Sequence, residues 1–134
     1  MAFDDLFRVG AHGVFLNGEG KILQLKSSYG EKQFGLPGGA LDPGETMHEA
    51  LIRECREELG IDIQILYMSG IYFHQIYAAH VGVFRFDIPK LAPIQLSNEH
   101  TEYRYFTLDE LNPIQRQRVS DCLAFDGRVK SAKF

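Results

Sequence analysis

Three glutamates, Glu54, Glu57 and Glu58, share one side of a helix whose two ends are marked in the sequence. Thr46 with Glu49 three residues on forms a capping box, and Gly60 stands where a helix stops, so Thr46 to Leu59 is expected to be helical. At about 100° per residue the three acids fall within an arc of roughly 100°. Ala50 and Met47 lie on the same arc one and two turns earlier. The acids therefore continue a stripe that begins as apolar core. Glu54–Glu57 and Glu54–Glu58 are neighbours on a helix surface, and each such like-charge pair costs about 0.2–0.5 kcal/mol even when exposed. Desolvation raises that cost. One reading is a solvated acidic patch eased by Arg53 at i,i+4 from Glu57. The other is a site for Mg²⁺ or Mn²⁺, a hard cation that takes oxygen ligands. Placement at the inner edge of the helix favours the cation.

The rest of the chain places this helix in a mixed fold. Leu6–Leu16 and Lys21–Lys26 are rich in β-formers around Asn17-Gly18-Glu19-Gly20, which reads as a hairpin. Residues 27–44 read as a loop ending in Pro37-Gly38-Gly39 and Asp42-Pro43-Gly44, with Pro43-Gly44 suited to a type II turn. Ile61, Ile63 and Ile65 alternate with polar residues, Ile71–Tyr77 and Ala79–Asp87 are two further strand candidates, and Glu102–Thr107 alternates again. Asn112-Pro113 opens a last helix to about Leu123. This order gives an α/β (α+β) layer fold, a mixed sheet with helices packed on it.

The 134 residues show no repeat and no linker, so residues 1–134 are expected to form one domain. With 14 basic and 18 acidic residues the net charge is −4, which argues against coating nucleic acid. A small phosphorylated substrate bridged by a cation remains compatible. Cys55 and Cys122 lack metal-site spacing and read as small apolar core residues of a reducing compartment. The N-terminus is acidic where a signal peptide is basic, and the uncharged stretch Ile63–Phe84 is interrupted by polar residues, so the expected location is cytoplasmic, with no membrane span.

Gly39, five residues, Glu45, seven residues and then Arg53-Glu54-Cys55-Arg56-Glu57-Glu58-Leu59-Gly60-Ile61 resemble the Nudix box, G-x5-E-x7-R-E-U-x-E-E-x-G-U with U apolar. All seven fixed positions match, and Cys55 and Ile61 fill the apolar slots. The box covers residues 39–61, and the strand order around it resembles the family's α/β/α sandwich. The resemblance implies a hydrolase of a nucleoside diphosphate linked to some group X, using Mg²⁺ or Mn²⁺. It implies Glu54, Glu57 and Glu58 as metal ligands, Glu54 also as a general base, and the Gly38 carbonyl as a further ligand. Gly39 and Gly60 are structural in the box. Arg53 and Glu45 are expected to bridge loop and helix and so keep Glu57 oriented.

Outside the box, Lys26 ends a strand where relatives often place a basic residue near the phosphates; a solvated lysine fits equally. Phe34 stands where many relatives have Trp, and reads first as a loop anchor and second as a base-stacking ring. Glu99-His100 resembles a Glu-His or Gln-His pair that relatives carry before the strand leading to the last helix. By that match Glu99 is a metal ligand and His100 a general base or a contact of the leaving phosphate; Glu102 is the alternative ligand. No motif resembles those of members acting on NADH or coenzyme A, and the proline of ADP-ribose-hydrolysing members is not evident after the box. Tyr77 lies near a tyrosine associated with dinucleoside polyphosphate hydrolases, although it reads first as a core or interface tyrosine. A MutT-type preference for nucleoside triphosphates is the default. The expected partner is a small-molecule nucleotide, with a homodimer left open. Two other classes are a hydrolase attacking carbon of a nucleotide sugar and a catalytically silent ligand sensor.

Overall fold

The computed structural model describes residues 3–30, 33–89 and 92–134. Its strands are β1 (Arg8–Val14), β2 (Ile22–Ser27), β3 (Phe34–Gly35), β4 (Gly38–Ala40), β5 (Gln64–His74), β6 (Ala79–Asp87), β7 (His100–Phe106) and β8 (Lys130–Lys133). Two helices, α1 (Met47–Leu59) and α2 (Pro113–Leu123), complete the order. A five-stranded mixed sheet runs β4-β1-β6-β5-β8, and a three-stranded sheet runs β3-β2-β7.

The period-2 alternation of the central strands builds two cores. On β6, Phe84 and Phe86 pack with Ala50, Leu51, Cys55 and Leu59 of α1, whereas Val83 packs with Val119 and Cys122 of α2. The helices thus cover opposite faces of the five-stranded sheet, an α/β/α sandwich as expected. Each fully buried Phe or Leu contributes about 1.5–3 kcal/mol. Cys55 and Cys122 are both free and buried, and burial pushes both thiols up, so they behave as core residues.

Both ends of α1 lie where the sequence signals put them. Thr46 and Glu49 make the reciprocal capping box, and Gly60 closes the helix at φ 68° with its N–H on the Arg56 carbonyl. Gly44 adopts φ 86° and the Glu45 N–H returns to the Asp42 carbonyl, which is the turn expected at Pro43-Gly44. Asn112 caps α2 through the Gln115 N–H, with Pro113 at its first turn.

Elsewhere the strands depart from the sequence reading. The hairpin of Leu6–Leu16 and Lys21–Lys26 survives only as its turn and the bridge Leu16↔Ile22. β1 is already paired on both sides, with β4 and along seven residues with β6, so β2 leaves it and pairs β7 instead. The expected loop 27–44 holds β3 and β4. Of the strand expected at Ile61–Ile65 only Gln64 and Ile65 are strand; they belong with Ile71–His74 to one strand, β5, kept in contact with β6 through two irregularities, and Gln75–Tyr77 is a 3₁₀ turn. β8 was missed because Lys-Ser-Ala-Lys carries no alternation of its own; its place is set by parallel pairing with β5.

Candidate active site

The β1–β4 pairing sets Gly38 and Gly39 opposite His12 and Ala11, and α1 packs against both strands. Gly38 has φ 135°, and a Cβ there would strike the Ala11 carbonyl and lie 2.8 Å from the His12 Cα. A Cβ on Gly39 would lie 2.8 Å from the Glu54 carboxylate. Two glycines are therefore what lets the loop backbone close on the acidic helix.

The three helix acids grade from solvent to core. The side chain of Glu57 is 59% exposed, that of Glu54 15% and that of Glu58 7%. Glu58 accepts the Gly38 N–H at 2.9 Å on Oε1. Burial, opposed by that N–H and reinforced by Glu54, Glu99 and Glu57, pushes the Glu58 pKa up to about 8. Burial also raises Glu54; Arg53 opposes the rise, while Glu57 and Glu99 add to it. Glu99 is thus within electrostatic reach of both helix acids although it belongs to a different segment.

Arg53 is the hub of the loop–helix junction. Its Nε and Nη2 donate to the two oxygens of Glu45 at 2.7 and 2.9 Å, and Nη2 also reaches the Ala40 carbonyl at 3.1 Å. Nη1 donates to Glu54 at 2.9 Å and to Glu57 at 3.3 Å. Glu45 in turn accepts the Asp42 N–H at 2.7 Å, and these bonds hold its carboxyl below the usual range. One guanidinium so ties the turn, β4 and two of the helix acids together.

The remaining expected residues separate into two groups. His100 places Nε2 3.8 Å from Glu58 Oε2; burial lowers its pKa against the pull of Glu99, and its buried Nδ1 has no partner among the described residues. Phe34 joins Glu58, His100 and Gly38 around a cleft of about 260 Å³, with its ring packed on Phe106 and under Arg104. Lys26 pairs with Glu102 at 3.7 Å, with its Nζ 5.9 Å from the centre of the Phe34 ring. Glu102, the alternative ligand, is thereby committed to Lys26 and Arg104. Tyr67 stacks on Phe125 and Tyr72 is buried, whereas Tyr77 is 63% exposed and lines a second, larger cavity, so the core role open to it is not the one it has.

That cavity, of about 860 Å³, holds residues the sequence reading did not single out. Arg118 on α2 is 3% exposed and donates from Nη2 to His12 Nδ1 at 2.6 Å. Burial pushes Arg118 down to about 10, and burial with Arg118 keeps His12 neutral. His74 lines the same cavity. Arg118 lies beside Val119 and Cys122 on the buried side of α2, and nothing in the sequence says what it meets there.

The donor set suits a hard divalent cation: Glu54 and Glu58 stand against Gly39 and Gly38, and both feel the repulsion of Glu57 and Glu99. Among the described residues no three His, Cys, Asp or Glu side chains stand in a coordinating group; Arg53 donates to one Glu54 oxygen and Gly38 to one Glu58 oxygen.

A profile of the NUDIX domain matches residues 6–123. The chain belongs to the Nudix family. It is 33% identical over 101 residues to the asymmetrical bis(5'-nucleosyl)-tetraphosphatase of Rattus norvegicus, covering 67% of this chain and 66% of that one. To an RNA pyrophosphohydrolase of Serratia proteamaculans it is 36% identical over 69 residues, covering 49% of this chain and 39% of that one. The chain thus spans less than two thirds of the length of these two relatives. An ADP-ribose pyrophosphatase from Streptococcus suis shares the fold with a TM-score of 0.77 at 17% identity, over 96% of this chain and 100% of that one. Among the described residues no helix is long and apolar enough to cross a membrane.

Proposed function

We propose that this Nudix protein is a divalent-metal-dependent pyrophosphohydrolase that cleaves the diphosphate linkage of a nucleoside triphosphate, or of a nucleoside diphosphate linked to X, by attack of water at phosphorus. The observation that carries it is the pairing of a buried Glu58 with the Gly38 N–H beside a half-buried Glu54, which holds two repelling acids against a glycine loop. The names of the relatives support the same class.

Glu54, Glu57, Glu58 and Glu99, with the Gly38 carbonyl, would hold Mg²⁺ or Mn²⁺. Bound there, the cation neutralises phosphate oxygens and lowers the pKa of water. The chain's own residues do the rest. Glu54 keeps one oxygen on Arg53 and turns the other to the water, taking its proton. Arg53 holds that carboxylate in place through Glu45 and the Ala40 carbonyl. His100, kept neutral by burial, receives or returns a proton at the leaving phosphate. Phe34 walls the cleft above Glu58.

A panel of nucleoside triphosphates, a dinucleoside polyphosphate, ADP-ribose and a nucleotide sugar, assayed with Mg²⁺ and with product analysis, tests the reading. Nucleotide monophosphate release with solvent ¹⁸O on phosphorus is the expected result. Label on the sugar carbon, or binding with no turnover, would replace it with the carbon-attacking or the sensing class.

A further inference from the structure

Gly38 takes its N–H to Glu58 rather than to β1. In the β1–β4 ladder the Gly13 N–H donates to the Pro37 carbonyl at 2.8 Å and the Leu41 N–H to the Val9 carbonyl at 3.1 Å. Gly38, opposite His12, falls between those bonded positions. At such a position the backbone groups turn away from the neighbouring strand, and the two Cα atoms approach most closely. That freedom lets the Gly38 N–H reach Glu58 Oε1 at 2.9 Å. From β1, the His12 side chain flanks Gly38: a Cβ there would lie 2.9 Å from the imidazole Cδ2.

The ring is held by its other edge. Arg118 Nη2 donates to His12 Nδ1 at 2.6 Å. Nδ1 and Cδ2 are the two ring positions next to Cγ, so a half-turn about Cβ–Cγ would exchange them. It would bring a nitrogen to Gly38 and take the acceptor from Arg118. Arg118 is buried, and its Nε–H already has no partner among the described residues. A buried charge that loses a partner is strongly unfavourable, so the guanidinium enforces one ring orientation. Arg118 itself springs from a fixed helix. The Tyr72 hydroxyl donates to Asp121 and the Tyr67 hydroxyl to the Cys122 carbonyl, both at 2.8 Å, which ties α2 to β5.

We propose that Arg118 is a positioning residue of the acidic site: it sets the His12 ring, the ring seats Gly38, and Gly38 braces Glu58. The lever runs from α2 on one face of the sheet to an acid of α1 on the other. Its consequence for turnover rests on the hydrolase reading, whereas the geometry is open to measurement in metal-free protein.

Amide hydrogen exchange of the metal-free protein, followed by NMR, tests this without turnover. Gly38 is the reporter, with Ala50 in α1 and Val83 in β6 as references. Arg118→Met and His12→Leu are expected to speed Gly38 exchange by about tenfold or more, while both references stay within about threefold of wild type. His12→Asn should keep most of the protection, because its Oδ1 accepts where Nδ1 does. The two damaging variants should also weaken Mn²⁺ binding, read by electron paramagnetic resonance, by roughly tenfold, and lower kcat with KM nearly constant. Should Arg118→Met not fold, the Asn and Leu variants of His12 decide. Unchanged Gly38 protection in a folded Arg118→Met, equal loss at all three amides, His12→Leu matching His12→Asn, or unchanged Mn²⁺ affinity where Gly38 has loosened would each overturn the proposal. Wild type without phosphohydrolase activity, together with selective loosening of Gly38 in the variants, removes the hydrolase reading alone; hydrolysis at the wild-type rate with Gly38 unmoved removes the role of Arg118 alone.

Discussion

The Glu58 carboxylate accepts the backbone N–H of Gly38 at 2.9 Å, twenty residues earlier in the chain, and so joins the acidic helix to the glycine strand. That bond opposes the burial of this acid. It makes Glu58 both a brace of the fold and a source of strain.

The strain has a pH signature in metal-free protein. Glu58 keeps its proton in the folded state up to about pH 8, whereas the unfolded chain loses it near the ordinary carboxylate value of 4.5. Between these values the unfolded state binds fewer protons, so stability falls as pH rises and levels off above about 8. Urea titrations from pH 5 to 9 are expected to show a loss on the order of a few kcal/mol. Glu58→Gln should flatten the slope. An equal slope in wild type and variant would contradict the assignment.

Activity is expected to depend on added Mg²⁺ or Mn²⁺ and on the helix acids. Glu57→Gln and Glu58→Gln should each lower kcat by roughly 10²-fold or more, the scale seen when a residue that orients a metal or its ligands is lost. Circular dichroism should be unchanged. Full turnover in excess chelator would be incompatible with this.

Arg53 acts through its partners. Arg53→Ala is expected to cost roughly 10–100-fold in activity by freeing Glu45 and Glu54, and Arg53→Lys should recover little, because an ammonium cannot span both oxygens of Glu45. The check is KM against kcat: an orienting role lowers kcat with KM nearly constant. A dominant rise in KM would place the guanidinium on substrate.

Gly39→Ala separates geometry from chemistry. Its Cβ would lie 2.8 Å from the Glu54 carboxylate, a movable side-chain end, so the fold should survive while kcat falls. Gly38→Ala meets backbone at Ala11 and has φ 135°, so it should lose stability outright. Thermal melts of the two variants distinguish these outcomes; equal melts would refute the distinction.

His100→Ala and Glu99→Ala test the residues outside the helix. Loss of metal affinity is expected for Glu99→Ala and not for Glu102→Ala, since Glu102 is held by Lys26 and Arg104. The pH–rate profile of His100→Ala should lose one limb. An unchanged profile would take the histidine out of the chemistry.

The acidic helix was legible because its signals are local: Thr46, Glu49 and Gly60 write its ends within fifteen residues. Its site half was legible for the same reason, since spacing alone puts Glu54, Glu57 and Glu58 on one arc. What could not be read depends on partners remote in sequence. Nothing in residues 8–14 says that β6 will pair with β1 and send β2 to another sheet. Lys130–Lys133 becomes a strand only because β5 has a free edge. Arg118 and His12 are 106 residues apart, and each alone reads as an ordinary polar residue; only the sandwich brings them together.

β1 is a short divider with a different chemistry on each side. Ala11 and Gly13 face the acidic helix, His12 faces Arg118, and one residue separates the two roles. A slip of one position between β1 and β4 would exchange them, sending the imidazole toward the carboxylates. The position opposite His12 has no room for a Cβ, so the native alignment requires the glycine that Gly38 supplies. The same close approach that shapes the loop beside the acids thus keeps the two chemistries of β1 apart.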